Sequence, residues 1–212
     1  RYLVRSRGLG DVYKRQIKYV LANVERVGKR PKLYLDIETT GLRKTDHIIS
    51  AGLVHRPGAE YVVEVGFARN PWEEAALLQY VNQLIKKNPF LITYNGRAFD
   101  APRLETRDIA SLVPRSAERQ HADLYNDWMQ GAVASKRLDL KSKKLSQIDR
   151  LLGHERKDIL GSMVPGIYKK FIHDEESFSG RTIKDVLEHN WHDMVSLMAA
   201  DIFARKEIGF RY

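Results

Sequence analysis

The stretch Lys32-Leu-Tyr-Leu-Asp-Ile-Glu-Thr-Thr-Gly-Leu42 decides how this chain is read. It is an apolar run ending in two carboxylates one residue apart, followed by two hydroxyls and a glycine. Residues i and i+2 of a strand share a face, so Asp36 and Glu38 project together from one end of a buried strand. Two anions held that close call for a cation. Hard oxygen ligands suit Mg²⁺ or Mn²⁺, ions that activate water and bind phosphate. An isolated Asp-x-Glu more often marks a strand running out into a solvated acidic turn, here with Gly41 at its corner, so the rest of the chain must supply further carboxylates.

Two segments do so. In Tyr94-Asn-Gly-Arg-Ala-Phe-Asp100, an apolar run ends in the turn signal Asn95-Gly96, and Asp100 follows near a helix start. This places Asp100 at the C-terminal edge of a sheet, beside Asp36 and Glu38 if the two strands are neighbours; the alternative is an ordinary N-cap. In His189-Asn-Trp-His-Asp193, the i,i+4 spacing puts His189 and Asp193 on one helical face, with Leu187, Trp191, Met194, Val195, Met198 and Ile202 as the packing stripe. His192 falls on another face.

The intervening pattern predicts an α/β fold. Leu33 to Ile37, Ile48 to His55 and Tyr61 to Phe67 read as a three-stranded antiparallel meander, with the Pro57-Gly58 turn between the second and third. Asn70-Pro-Trp-Glu73 reads as an N-cap, first-turn proline and capping-box acid, opening a helix that Lys86, Lys87, Asn88 and Pro89 close. Phe90 to Tyr94, reached through that helix, is expected parallel to the first strand, and a short strand near His121 to Leu124 completes a five-stranded mixed sheet. Leu124 to Met129, Leu145 to Leu152, Ile167 to Ile172 and about Thr182 to Lys206 are expected helical.

With 212 residues and 43% hydrophobic content, the chain suffices for one domain with a sizeable core. Residues 1–16 carry five cations, one anion and no clear periodicity, and read as a non-native, adapter-like tail; 17–31 are a lead-in, and 32–212 the domain. Setting the tail's net +4 aside from the formal +9 leaves +5, a basic balance that suits a polyanionic partner. Five cations against one anion between Lys136 and Lys144 read either as a solvated basic loop or as phosphate contacts. The absence of cysteine excludes disulfides and thiolate zinc sites and fits a cytoplasmic protein; no run is long and apolar enough to span a membrane.

Taken together and in order, Asp36/Glu38, Asn95 to Asp100, and His189 to Asp193 resemble the three motifs of the DEDD 3′–5′ exonucleases of the ribonuclease H-like superfamily. Within that superfamily the chain is most similar to the YprB-like exonuclease domain, through Asp36 to Leu42, Tyr94-Asn-Gly to Phe99-Asp-Ala-Pro102, His121-Ala-Asp-Leu124, Leu151 to Ile159, Val164-Pro to Tyr168 and His189 to Asp193. The resemblance implies a ribonuclease H-like fold. It also implies two divalent cations, Mg²⁺ or Mn²⁺, on Asp36, Glu38, Asp100 and Asp193, and hydrolysis of single-stranded DNA or RNA to 5′ mononucleotides. Glu38 and His189 are the expected catalytic residues, His189 as base because an imidazole titrates near neutral pH. The His-type enzymes place histidine five residues before the last Asp, where this chain has Glu188; the Tyr-type place tyrosine four before, where it has His189.

Thr39, Thr40, Leu42 and Asn95 are the expected substrate contacts. For Thr39 and Thr40 turn chemistry competes with that role, and for Leu42 packing does. Asp123 is read as a cap, and Arg156, Lys157 and Asp158 as a structural network in preference to substrate contacts. The competing functions are a catalytically silent nucleic-acid-binding module of the same fold, a structural domain beside other modules in a longer chain, and a ribonuclease H-type endonuclease.

Overall fold

The computed structural model describes residues 30–107, 120–134, 138, 140, 142–153, 156, 158–173 and 180–208. The tail, almost all of the lead-in, Lys157 and much of the Lys136–Lys144 stretch lie outside these residues. Strands β1 (Lys32–Thr39), β2 (Ile48–His55) and β3 (Val62–Phe67) are followed by helix α1 (Glu74–Lys87), β4 (Phe90–Thr93), α2 (Asp100–Glu105) and β5 (Gln120–Asp123). A single π-turn, Tyr125–Met129, then leads into α3 (Gln130–Ala134), α4 (Ser146–Leu151), α5 (Val164–Ile172) and α6 (Ile183–Ile208). The five strands form one mixed sheet in the order β3-β2-β1-β4-β5. The first three are antiparallel, and β4 and β5 are parallel to β1.

Alternation along β1 divides its side chains between the two faces of the sheet. Leu33, Leu35 and Ile37 pack with Leu77, Val81 and Leu84 of α1 and Leu104 of α2. Tyr34 enters the opposite core with Met194, Val195, Met198 and Ile202 of α6, and its hydroxyl donates to Asp201 of that helix at 2.7 Å. Asp36 and Glu38 therefore face α6.

Helix α6 reaches the sheet closely because β2 carries Gly52 opposite Asp36. A Cβ at Gly52 would stand 2.6 Å from Met194 Cγ and 3.1 Å from the Asn190 carbonyl oxygen. Such approaches need a residue without a side chain. A third apolar cluster, Ile49, Ile159, Val164, Ile167, Tyr168 and Val186, seats α5 against β2 and the start of α6.

Local signals act as the sequence predicts, with three departures. Asn70 caps by accepting from the Trp72 amide at 3.0 Å, but the first turn, Pro71–Glu73, is a 3₁₀ turn. Glu73 reaches the Arg69 amide (3.0 Å) and the Arg69 guanidinium instead of the Asn70 amide a capping box would use. The segment after β5, expected as a helix, is a single π-turn, and Asp123 caps it by accepting from the Tyr125 (3.1 Å) and Asn126 (3.4 Å) amides.

Candidate active site

Four carboxylates from three parts of the chain converge on one cavity of about 510 Å³: Asp36 and Glu38 from β1, Asp100 from the start of α2, and Asp193 from α6. The cavity lies at the C-terminal edge of the parallel strands, where open α/β sheets hold their ligands.

Asp100 is held by an amide that the sheet leaves over. The β1–β4 ladder ends at Tyr34 and Ile92 while β1 runs on, so the Ile37 N–H meets no strand on that side and donates to Asp100 Oδ1 at 3.0 Å. Asp36 accepts from Asn190 Nδ2 at 2.9 Å, and Asn190 Oδ1 accepts from Ser50 on β2 at 3.2 Å. Asn190 is fully buried and ties α6 to both central strands. Glu38 precedes a register irregularity between Glu38 and Thr39, where β1 leaves the regular ladder with β2.

Crowding and burial set the electrostatics. Burial pushes Glu38 up to about 8; the charges of Asp193 and Asp100 add to this, and those of His189 and Arg156 oppose it. Asp36 is raised well above the usual carboxylate range by burial and then by the charges of Asp193, Asp100 and Glu38, against the Asn190 hydrogen bond. Asp100, 2% exposed, is pushed to about 7, chiefly by burial and against the Ile37 amide. A cluster that must take up protons near neutral pH to relieve its own repulsion is one a divalent cation relieves better. Glu38, His189 and Asp193 offer ligand atoms that all lie within 4.8 Å of one another. The carboxylate oxygens of this set fit a hard divalent ion.

His189 and Asp193 share a face as their spacing requires, with Nε2 3.3 Å from Asp193 Oδ2 and 3.6 Å from Glu38 Oε1. The other ring nitrogen, Nδ1, lies 2.6 Å from Asp158 Oδ2. Burial lowers the His189 pKa, but Asp193, the Asp158 hydrogen bond and Glu38 outweigh it, so the net shift is upward. Arg156 closes the cluster: its guanidinium donates to Asp158 and Asp193 and lies 3.8 Å from the buried Asp149. Asp149 in turn accepts from Ser196 of α6 at 2.8 Å. The expected structural network of Arg156 and Asp158 is thus present, and it is built directly onto His189 and Asp193. His192 is buried beside Trp191 on another part of the helix.

Thr39, Leu42 and Asn95 line the cavity, and Leu42 is 86% exposed at its mouth. Thr39 Oγ1 donates to the Gly41 carbonyl at 2.6 Å, and Thr40 Oγ1 accepts from the His47 amide at 3.0 Å. Thr40 therefore serves the β1–β2 connection and is not among the lining residues. Asn95 has φ 63°, in the left-handed region, which Asn adopts more readily than most residues. Asp123, fully buried, fixes that turn by accepting from the Asn95 (2.7 Å) and Arg97 (3.0 Å) amides. Its carboxylate is thereby committed to these amides and to Asn126, whose Nδ2 donates to Oδ2 at 2.8 Å. Asn190, Arg156, Asp149 and Ser50 are the supporting residues that sequence motifs did not single out as a site; the Leu151–Ile159 stretch carried a signal only for Arg156.

Comparison with known proteins places the fold. A family model described as the RNase H superfamily matches residues 33–200. YprB of Bacillus subtilis (strain 168) is 30% identical over 188 residues, which cover 85% of this chain and 43% of that protein. Exonuclease I superposes with a TM-score of 0.55 at 15% identity, over 84% of this chain and 41% of its own. A zinc-bound E. coli exonuclease I complex with single-stranded DNA gives 0.53 at 16%, over 85% and 42%. At such identities the likeness to exonuclease I is one of fold. The chain spans less than half the length of each of these relatives. The fold, the matched span and the likeness to YprB agree with the YprB-like reading of the motifs, and the chain belongs to the RNase H superfamily.

Proposed function

We propose that this domain is a metal-dependent 3′–5′ exonuclease of the DEDD type, which shortens single-stranded DNA or RNA to 5′ mononucleotides. The convergence of Asp36, Glu38, Asp100 and Asp193 on one cavity carries this reading. These four would hold two divalent cations, Mg²⁺ or Mn²⁺. When bound, the cations lower the pKa of the attacking water and offset the charge of the scissile phosphate.

The remaining work falls to the chain. Asp158 takes the Nδ1–H of His189 and leaves Nε2 as the atom that accepts the water proton. Asn190 and the Ile37 amide hold Asp36 and Asp100 in place, and Arg156 fixes Asp193 and Asp158 together. Thr39, Leu42 and Asn95 stand where the terminal nucleotide would enter. Water oxygen bonds to phosphorus as its proton passes to His189 Nε2, the bond to the 3′ oxygen breaks, and that oxygen takes a proton from solvent and leaves as the hydroxyl of the shortened strand.

The test incubates 5′-labelled single-stranded DNA and RNA with Mg²⁺ or Mn²⁺ and compares wild type with Asp36→Ala and His189→Ala. The expected result is a one-nucleotide ladder that Asp36→Ala abolishes and His189→Ala slows about 10²–10⁴-fold. Intact substrates with either metal would favour a binding module of the same fold. Full activity in His189→Ala would remove the base assignment while leaving the nuclease.

A further inference from the structure

A second groove opens beside the active-site cavity, and the two share a wall made by Tyr94 and Asn95. It measures about 390 Å³, and its other lining residues are Tyr125, Lys143, Lys144 and Leu145. That volume is in the range of ligand pockets. Its position follows from topology: Tyr94 comes directly after β4 and the π-turn of Tyr125 directly after β5, so both aromatics emerge at the sheet edge that carries the carboxylates.

The groove is assembled, not incidental. The Tyr94 and Tyr125 rings meet edge to face with centroids 5.7 Å apart. The Tyr94 hydroxyl donates to the Lys143 carbonyl at 2.5 Å, which pins the lysine-bearing segment to the end of β4. Lys143 is half-buried, Lys144 is exposed, and none of the lining residues is acidic. Aromatic rings beside cations, with no counter-charge among them, match the two features that bind single strands without regard to sequence: base stacking and backbone neutralisation.

We infer that this groove binds the nucleotides immediately 5′ of the one being removed, with a base stacked on Tyr125 and phosphates on Lys143 and Lys144. The direction of the strand rests on the exonuclease reading, and the groove supplies what that reading lacks, a reason for preferring an unpaired strand. A base in a duplex has its faces covered by its neighbours and cannot stack on Tyr125. The part of the Lys136–Lys144 basic stretch that the structure describes is thereby assigned to phosphate binding.

The test is fluorescence anisotropy of 5′-fluorescein dT₁₂ in Ca²⁺, at several salt concentrations. Tyr125→Leu should weaken binding about tenfold, while Tyr125→Phe, which keeps the stacking face, should stay near wild type. Lys143→Gln/Lys144→Gln should weaken binding and lower the salt slope by about 1.4, or about 0.7 for each phosphate no longer neutralised. Lys86→Gln/Lys87→Gln removes the same charge at the opposite end of β4 and should leave the slope unchanged. Groove variants that bind like wild type, or a control that weakens as much as they do, would overturn the inference. If wild type binds dT₁₂ but never shortens it in Mg²⁺ or Mn²⁺, while the groove variants bind more weakly, the exonuclease reading falls and the groove stands. If strands are shortened with equal affinity in all variants, the groove falls and the exonuclease stands.

Discussion

Asp158 lies 2.6 Å from His189 Nδ1, and this contact makes a prediction at the level of one atom. Asp158→Asn keeps the shape but can present its amide to the ring, which favours the wrong tautomer. Turnover should fall about 10–100-fold, the usual cost of losing such an orienting partner, with KM for the strand little changed. Initial rates across strand concentrations separate the two parameters, and an unchanged kcat would show that His189 needs no orientation. The raised carboxylates make a second prediction. With Glu38 near 8 and Asp100 near 7, Glu38 is mostly and Asp100 partly protonated at pH 7, and a cation must displace those protons. Mg²⁺ binding should therefore release protons at pH 7 and tighten as pH rises from 6 to 9. Calorimetry in buffers of differing ionisation enthalpy reads the release directly; a buffer-independent enthalpy with flat affinity would contradict it. At this scale the sequence was informative where chemistry is local: Asp36 and Glu38 by strand alternation, His189 and Asp193 by helical spacing. Asn190 and Asp149 were not legible, because their roles depend on elements far away in sequence, Asn190 on β1 and β2 and Asp149 on Ser196 of α6.

Among elements, the packing of α6 on the sheet decides whether Asp193 reaches Asp36 and Glu38. Gly52→Ala puts a methyl against Met194 and the Asn190 backbone. Met194 can turn aside, but the Asn190 carbonyl belongs to the helix itself. The substitution should cost about 1–3 kcal/mol in urea unfolding and reduce nuclease activity by more than that loss of stability explains, since the helix carrying Asp193 and His189 is displaced. Wild-type stability and turnover in Gly52→Ala would show that the approach is not needed. Strand positions were readable to within one or two residues, because β-rich runs are bounded by Pro-Gly, Asn-Gly and Asn-Pro signals. The last helix, expected over Thr182 to Lys206, spans Ile183–Ile208. The 3₁₀ start at Pro71 and the π-turn at Tyr125 were not readable. Each is a single turn, and over so short a stretch the apolar periodicity does not distinguish i→i+3 or i→i+5 bonding from an α start.

At the scale of the whole molecule, the sheet separates two cores and the carboxylates occupy its open edge. His121, on the edge strand β5, is 7% exposed and lies with Nε2 2.8 Å from Thr93 Oγ1. Burial first, and the Arg97 charge second, lower it from 6.5 to about 4. The folded protein therefore keeps this imidazole neutral where the unfolded chain would protonate it, and its contribution is complete above 6.5 and lost as pH falls through 4. Denaturation from pH 7 to pH 4 should show wild type losing on the order of 3 kcal/mol more than His121→Gln, and parallel losses would contradict that assignment. Most of the mixed sheet was legible because Pro57-Gly58, Asn88-Pro89 and Asn95-Gly96 bound its strands and the α1 crossover required β4 to run parallel to β1. Among the described residues no helix is long and apolar enough to cross a membrane.

The central claim, that these four carboxylates form a metal-dependent site that removes nucleotides from a 3′ end, is tested most directly by chromatographic product analysis of an unlabelled single strand of defined sequence incubated with Mg²⁺. The expected products are 5′ mononucleotides released in order from the 3′ terminus, with release stopped by chelation and by Asp100→Asn. Internal fragments of mixed length, release from the 5′ terminus, or undiminished release from Asp100→Asn would contradict it.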